Sequence, residues 1–167
     1  MNTLISFLRY IFYYLTARNK YGVHSPFVFQ LVIQVLETNK SFLLNRNKKN
    51  SALICRLLSY FQPQSIVEIG NNELSEKSII YFNDFQNIKK ELVDFIYIEK
   101  STKEFLKKAL KYIHNDSVLI VNNIHQTKEE WKFLQNHSTV NVSINLFYIG
   151  LVFFREQQKE QHFTIRF

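Results

Sequence analysis

Four positions in this chain have the residue types and placement for chemistry: Glu68 and Gly70 in "SIVEIG", Glu99 closing "DFIYIE", and His125 in "VNNIH". An acidic residue and a glycine at the end of an apolar run open a nucleoside-binding turn, because glycine lets the backbone come close to a ligand. No second glycine follows: the chain's three glycines are Gly22, Gly70 and Gly150, so no other stretch can supply a glycine-rich loop. His125 is a candidate general base. With no carboxylate beside it in sequence, it reads more readily as a structural hydrogen-bonding residue.

Other chemistries are excluded by what is missing. The chain has no Gly-x-Ser-x-Gly, no Walker loop and no His-Glu-x-x-His, so nothing points to hydrolase or kinase activity. Cys55 is the only cysteine, which rules out a disulfide framework and a paired-cysteine metal site. A reduced, cytoplasmic setting is expected.

These residues must be carried by alternating elements. "SIVEI", "LVDFIYIE" and "SVLIVNN" are short β-branched or aromatic runs, continuous enough for strands buried on both faces. Between the last two, "STKEFLKKALKYIHND" predicts a helix opened by a Ser101–Glu104 capping box; "QTKEEWKFLQN" predicts another opened by Thr127 and Glu130, with Trp131 in the core or at a hinge. "TVNVSINLFYIGLVFFREQ" reads as two antiparallel strands around a turn at Gly150. Strand alternating with helix defines a parallel α/β sheet.

The first third is helical. Ser25 and Pro26 in "HSPFVFQ" mark an N-cap and first turn, with His24 organising the entry, and Gln30, Gln34 and Glu37 mark the polar face. A further helix with Leu53, Ile54, Leu57, Leu58 and Phe61 inward stops near Pro63. Leu4, Phe7, Leu8, Ile11 and Leu15 also recur at helical spacing, which predicts a helix packed on its own domain or one lying on a membrane surface. This segment lacks a basic leader with a small-residue cleavage site, and its low-charge run ends at Arg18, short of a spanning helix. One domain is expected, with a helical region over 1–62 and an α/β core over 63–167.

The formal net charge is +7, which favours acidic partners such as nucleic acid or an anionic membrane. Lys100, Lys103, Lys107 and Lys111 line one helix face, as a phosphate-tracking stripe or as a solvated outer surface.

In order along the chain, "YGVHSPFVF", "VEIG", "VDFIYIE", "NDSVLIVNNIH", "INLFYIGLVFFR" and "QHFTIRF" resemble a class I S-adenosylmethionine-dependent methyltransferase of the type common in Bacteroidetes. The resemblance spans nearly the whole chain. It implies a Rossmann-like sheet with an antiparallel last hairpin, and S-adenosylmethionine lying across the ends of the first and fourth family strands, where Glu68, Gly70 and Glu99 occupy matching cofactor-binding positions. Three departures stand beside it. The second glycine is Leu74. "YFNDFQNIKKE" is too short for the family's second and third strands with their crossovers, so the acid that holds the ribose is missing unless Asp84 or Glu91 substitutes. The Asp-Gly and Asp-Asp-Ile-His that end two family strands are here Glu99-Lys100 and Asn122-Asn123-Ile124-His125, a poor set for a hard divalent cation.

The sequence thus implies a truncated sheet of about five strands, its first strand at an edge that the N-terminal helices, the segment after Phe82 or a second subunit must cover. Three functions follow as expectations: a degenerate, non-catalytic methyltransferase homologue acting through a protein partner or as a homodimer, with no cofactor; an active methyltransferase using S-adenosylmethionine; and a basic module for nucleic acid or anionic membrane.

Overall fold

The computed structural model describes residues 3–37, 46–70, 80–82, 85, 86, 88 and 92–167. They form two compact units, Met1–Gln62 with Thr164–Phe167, and Pro63–Phe163.

The first unit is helical: α1 (Thr3–Thr16), a 3-10 turn (Lys20–Gly22), α2 (Pro26–Leu31) continuing into a wider π turn (Val32–Leu36), and α3 (Arg46–Phe61). Ser25 caps α2 as expected, its hydroxyl accepting from the Val28 N–H at 3.4 Å with Pro26 in the first turn. Val28, Leu31, Val32, Val35 and Leu36 are buried, as are Leu53, Ile54, Leu57 and Leu58 of α3. Gln62 takes a positive φ of 47° and ends α3 just before Pro63.

Helix α1 departs from the expectation of an inward apolar face. Leu4, Phe7, Leu8, Ile11 and Leu15 are all exposed, while Tyr13 and Ala17, on the other side, are buried. The Tyr13 hydroxyl explains the orientation: it donates to the Ile165 carbonyl and accepts from the Phe167 N–H at 3.2 Å, so that side of the helix turns toward residues 164–167. A buried phenol needs such partners.

The second unit is a seven-stranded sheet, β1 (Ser65–Ile69), β2 (Ile80–Phe82), β3 (Phe95–Ile98), β4 (Val118–Asn122), β5 (Val142–Asn145), β6 (Ile149–Phe153) and β7 (Gln161–Thr164), in the order β2-β1-β3-β4-β6-β5-β7. The β2–β1, β1–β3 and β3–β4 pairs are parallel, and β6 runs antiparallel to β4 and β5. This is the expected α/β class with its antiparallel hairpin, and the sheet adds β2 and β7 to the strands read from sequence. β1 is not the edge: Ile66 and Val67 pair with Tyr81 and Phe82. The three-residue β2 takes the edge position instead.

Helices α4 (Lys103–Ala109) and α5 (Lys128–Gln135) join the core of one sheet face, where Leu106, Ala109, Trp131 and Leu134 cluster with Val67, Ile96, Ile98, Leu119, Val121 and Val152. Two cap expectations change. Thr102, not Ser101, caps α4 by accepting from Phe105 N–H at 3.2 Å, and Thr127 precedes α5 without a side-chain cap bond. Gly150 lies inside β6 rather than in the turn. A Cβ there would stand 2.2 Å from the Trp131 ring, so the bare backbone is what seats the indole.

The starts of the central strands are gathered by Asp94. Its Oδ2 accepts from the N–H groups of Gln64 and Ser65 at 2.7 and 2.9 Å and from the Ser65 hydroxyl at 3.2 Å, and its Oδ1 lies 2.9 Å from His114 Nε2. The Asp94 carbonyl in turn accepts from Val118 N–H at 2.8 Å. Burial pushes the Asp94 carboxyl up, but these donors outweigh it and hold the group below its ordinary value. Stability from this source is therefore complete above the unfolded carboxyl pKa, near ~3.9, and is lost as pH falls through the lower folded value. Asp94→Asn should lower stability by about 1–3 kcal/mol at pH 7, with the gap closing as pH falls through the lowered folded value of the carboxyl. Denaturant titrations of both proteins across this range check it; a gap independent of pH would contradict it.

Candidate functional site

The site lies where the chain changes direction across the sheet. From β1 the chain crosses to β2 on one side, and β3 lies on the other, so the C-terminal ends of β1 and β3 flank the crevice at which doubly wound sheets take ligands. The register then fixes which side chains meet. Glu68 pairs with Tyr97 and Ile98 pairs with Val121, which brings Glu99 beside Asn122. Alternation along each strand puts Glu68, Tyr97 and Asn122 on the sheet face opposite the α4–α5 cluster.

At the strand ends the polar groups bind one another. The Tyr97 hydroxyl donates to Glu99 Oε2, which also accepts from Asn122 Nδ2 at 2.8 Å. The same amide reaches the Tyr97 oxygen at 3.3 Å, and Asn122 Oδ1 accepts from Asn123 N–H at 2.9 Å. Tyr97 and Asn122 are buried, and Glu68 has no exposed surface. One carboxylate oxygen thus serves two donors on adjacent strands.

Gly70 is exposed and has φ +156°. A Cβ on it would lie 2.5 Å from the Glu99 Cβ, and Glu99 N–H donates to the Ile69 carbonyl at 2.9 Å. The glycine is required here by the closeness of β3, a constraint internal to the fold. Leu74, Asp84 and Glu91 lie outside the described residues.

His125 follows β4 and is buried, its ring stacked on Phe147 at 5.1 Å and edge-on to Tyr148 at 4.9 Å, with Nε2 3.3 Å from Gln126 Nε2. It belongs to an aromatic group rather than to the Glu99 cluster. Two non-glycine residues with positive φ flank it, Asn123 at 57° and Phe147 at 72°. Phe147 is held there by its N–H donating to Asn145 Oδ1 at 2.7 Å. Among the described residues no three His, Cys, Asp or Glu side chains converge as a metal cluster.

Glu68, Gly70 and Glu99 lie at the ends of adjacent strands, while His125 stands apart. Tyr97 is the site residue that motif reading passed over. Its signal was its position two before Glu99, the residue directly after β3, where continued alternation puts both on the same face. The loops also meet: the Ser101 hydroxyl donates to Thr127 Oγ1 at 2.9 Å. The lysine stripe is partly matched by acids, Lys103 lying 3.6 Å from Glu129, and the neighbouring Lys108 lies 2.9 Å from Glu104.

No family model matches the chain, and no curated protein matches it. Among solved structures, it is similar to an O-methyltransferase from Bacillus cereus in complex with SAH, at 15% identity and a TM-score of 0.45, covering 74% of this chain and 96% of that one. It is also similar to a putative O-methyltransferase from Klebsiella pneumoniae, at 10% identity and a TM-score of 0.45, covering 80% of this chain and 91% of that one.

The close approach at Gly70 yields a test. Gly70→Ala should destabilise the protein by about 1–3 kcal/mol, and the loss should shrink when Glu99 is also changed to Gly, which removes the opposing Cβ. Equal losses in both backgrounds would refute the contact.

Proposed function

We propose that this protein is a degenerate, non-catalytic homologue of the class I S-adenosylmethionine-dependent methyltransferases, of the Bacteroidetes type, acting through protein contacts. The observation that carries the reading is the closed pairing of Glu99 with Tyr97 and Asn122. A carboxylate that holds a cofactor must offer its oxygens outward, whereas here one oxygen already accepts twice and the amide beside it is also engaged. Releasing them would strand buried polar groups, each costing about 1–3 kcal/mol. With Oε2 of Glu99 engaged twice, only Oε1 is left to a ligand, which argues against a fit to S-adenosylmethionine.

The sequence adds two supports: Leu74 in place of the second glycine, and neutral Asn122 and Asn123 where metal-dependent relatives carry acids. A folded domain whose site groups are spent on one another is left with its surface as its means of action. A second reading, an active methyltransferase, is favoured by one feature: Gly70 keeps a positive-φ backbone at the end of β1.

Titration calorimetry with S-adenosylmethionine separates the two. The expected result is no heat and no rise in Tm at ligand concentrations up to about 1 mM, whereas a site filled at a hundredfold excess over its Kd would add about 2.7 kcal/mol of stability. Micromolar binding that weakens in Glu99→Gln would overturn the proposal in favour of the enzyme.

A further inference from the structure

The exposed side of α1 is apolar without interruption. Leu4, Ile5, Phe7, Leu8, Ile11, Phe12, Tyr14 and Leu15 all face solvent, with Phe12 and Leu15 keeping 71% and 73% of their surface. At 100° per residue these eight positions fill about half the helix circumference. A soluble surface rarely leaves so continuous a patch uncovered.

Charge is segregated in the same way. Met1–Gln62 with Thr164–Phe167 contains nine Lys and Arg against the single acid Glu37, while Pro63–Phe163 contains twelve against thirteen acids. The whole excess of positive charge therefore resides in the unit that carries α1. Three exposed arginines lie on or beside the helix: Arg9 within it, Arg18 just after it, and Arg166, whose guanidinium stacks over the Tyr14 ring at 4.2 Å. No acid occurs before Glu37.

We infer that α1 is a membrane-surface helix that lays its apolar face into the headgroup boundary of an anionic bilayer. A wide apolar face with arginines beside it is what interfacial binding requires, since apolar burial and attraction to anionic lipid add. The tyrosines Tyr10 and Tyr14 suit the same depth. Fourteen residues make a helix of about 21 Å, too short to cross a hydrocarbon core of about 30 Å, and no helix among the described residues is long and apolar enough to do so. Pairing α1 with a second copy would instead set two strongly positive units face to face. Nucleic acid would leave the apolar face unused. The inference is independent of whether the α/β unit binds a cofactor.

The test is sedimentation of the full chain with vesicles of phosphatidylcholine alone or mixed equally with phosphatidylglycerol, beside Phe12→Glu/Leu15→Glu and Arg9→Gln/Arg18→Gln variants. The native chain should partition onto the anionic vesicles, and the first variant should lose at least about tenfold in partition coefficient. The arginine variant should lose most of its preference for anionic lipid. All the altered side chains are exposed, so near-UV circular dichroism and Tm should stay close to native. Equal partitioning of the native chain and Phe12→Glu/Leu15→Glu would overturn the inference. So would a native dimer, seen by light scattering, that this variant dissociates while neither protein sediments with vesicles.

Discussion

Parallel strands buried along both faces have no place for a polar side chain except near their ends, and every polar group placed there must find a partner or water. The β1, β3 and β4 strands of this protein meet that constraint twice. At their starts, Asp94 collects the backbone of Gln64 and Ser65 and the ring of His114. At their finishes, Glu99 collects Tyr97 and Asn122. The first arrangement occurs where such sheets have no site. The second lies at the strand ends where doubly wound sheets take ligands.

Seen this way, Gly70 and Asn122 change meaning. A glycine after an acidic strand signals room for a ligand, yet here the room is taken by the Cβ of Glu99. Asn122, at the end of β4, supplies a donor that engages Glu99. The helical unit follows a different economy. Its excess charge and its exposed apolar helix lie together, while the α/β unit is nearly balanced in charge, so the two units differ in the surfaces they offer to solvent.

Much of this was legible in the sequence, and the failures have physical causes. Ser25 and Pro26 announced α2 because cap chemistry is local. The β1, β3 and β4 runs were legible because doubly buried strands are continuously apolar. Helix α1 was recognised by its period, but a period says which residues share a face and not what covers it; the buried hydroxyl of Tyr13 decided the orientation. β2 is three residues long, too short to show alternation. Gly150 resembles a turn residue, and only the Trp131 ring lying against it shows why a strand contains it. Around the crevice, motif spacing singles out Glu68, Gly70 and Glu99, and the register sets them at neighbouring strand ends. Tyr97 required the strand register, which sequence alone does not provide.

The closed pairing at Glu99 is tested most directly by nuclear magnetic resonance of the Asn122 side-chain amide in 15N-labelled protein, recorded with and without millimolar S-adenosylhomocysteine. The account predicts an amide protected from solvent exchange, with shifts unchanged by the nucleoside and lost as a protected signal in Glu99→Ala. An amide that exchanges freely, or that moves together with Gly70 as the nucleoside is added, would mean that Glu99 turns outward to a ligand and that the site is open.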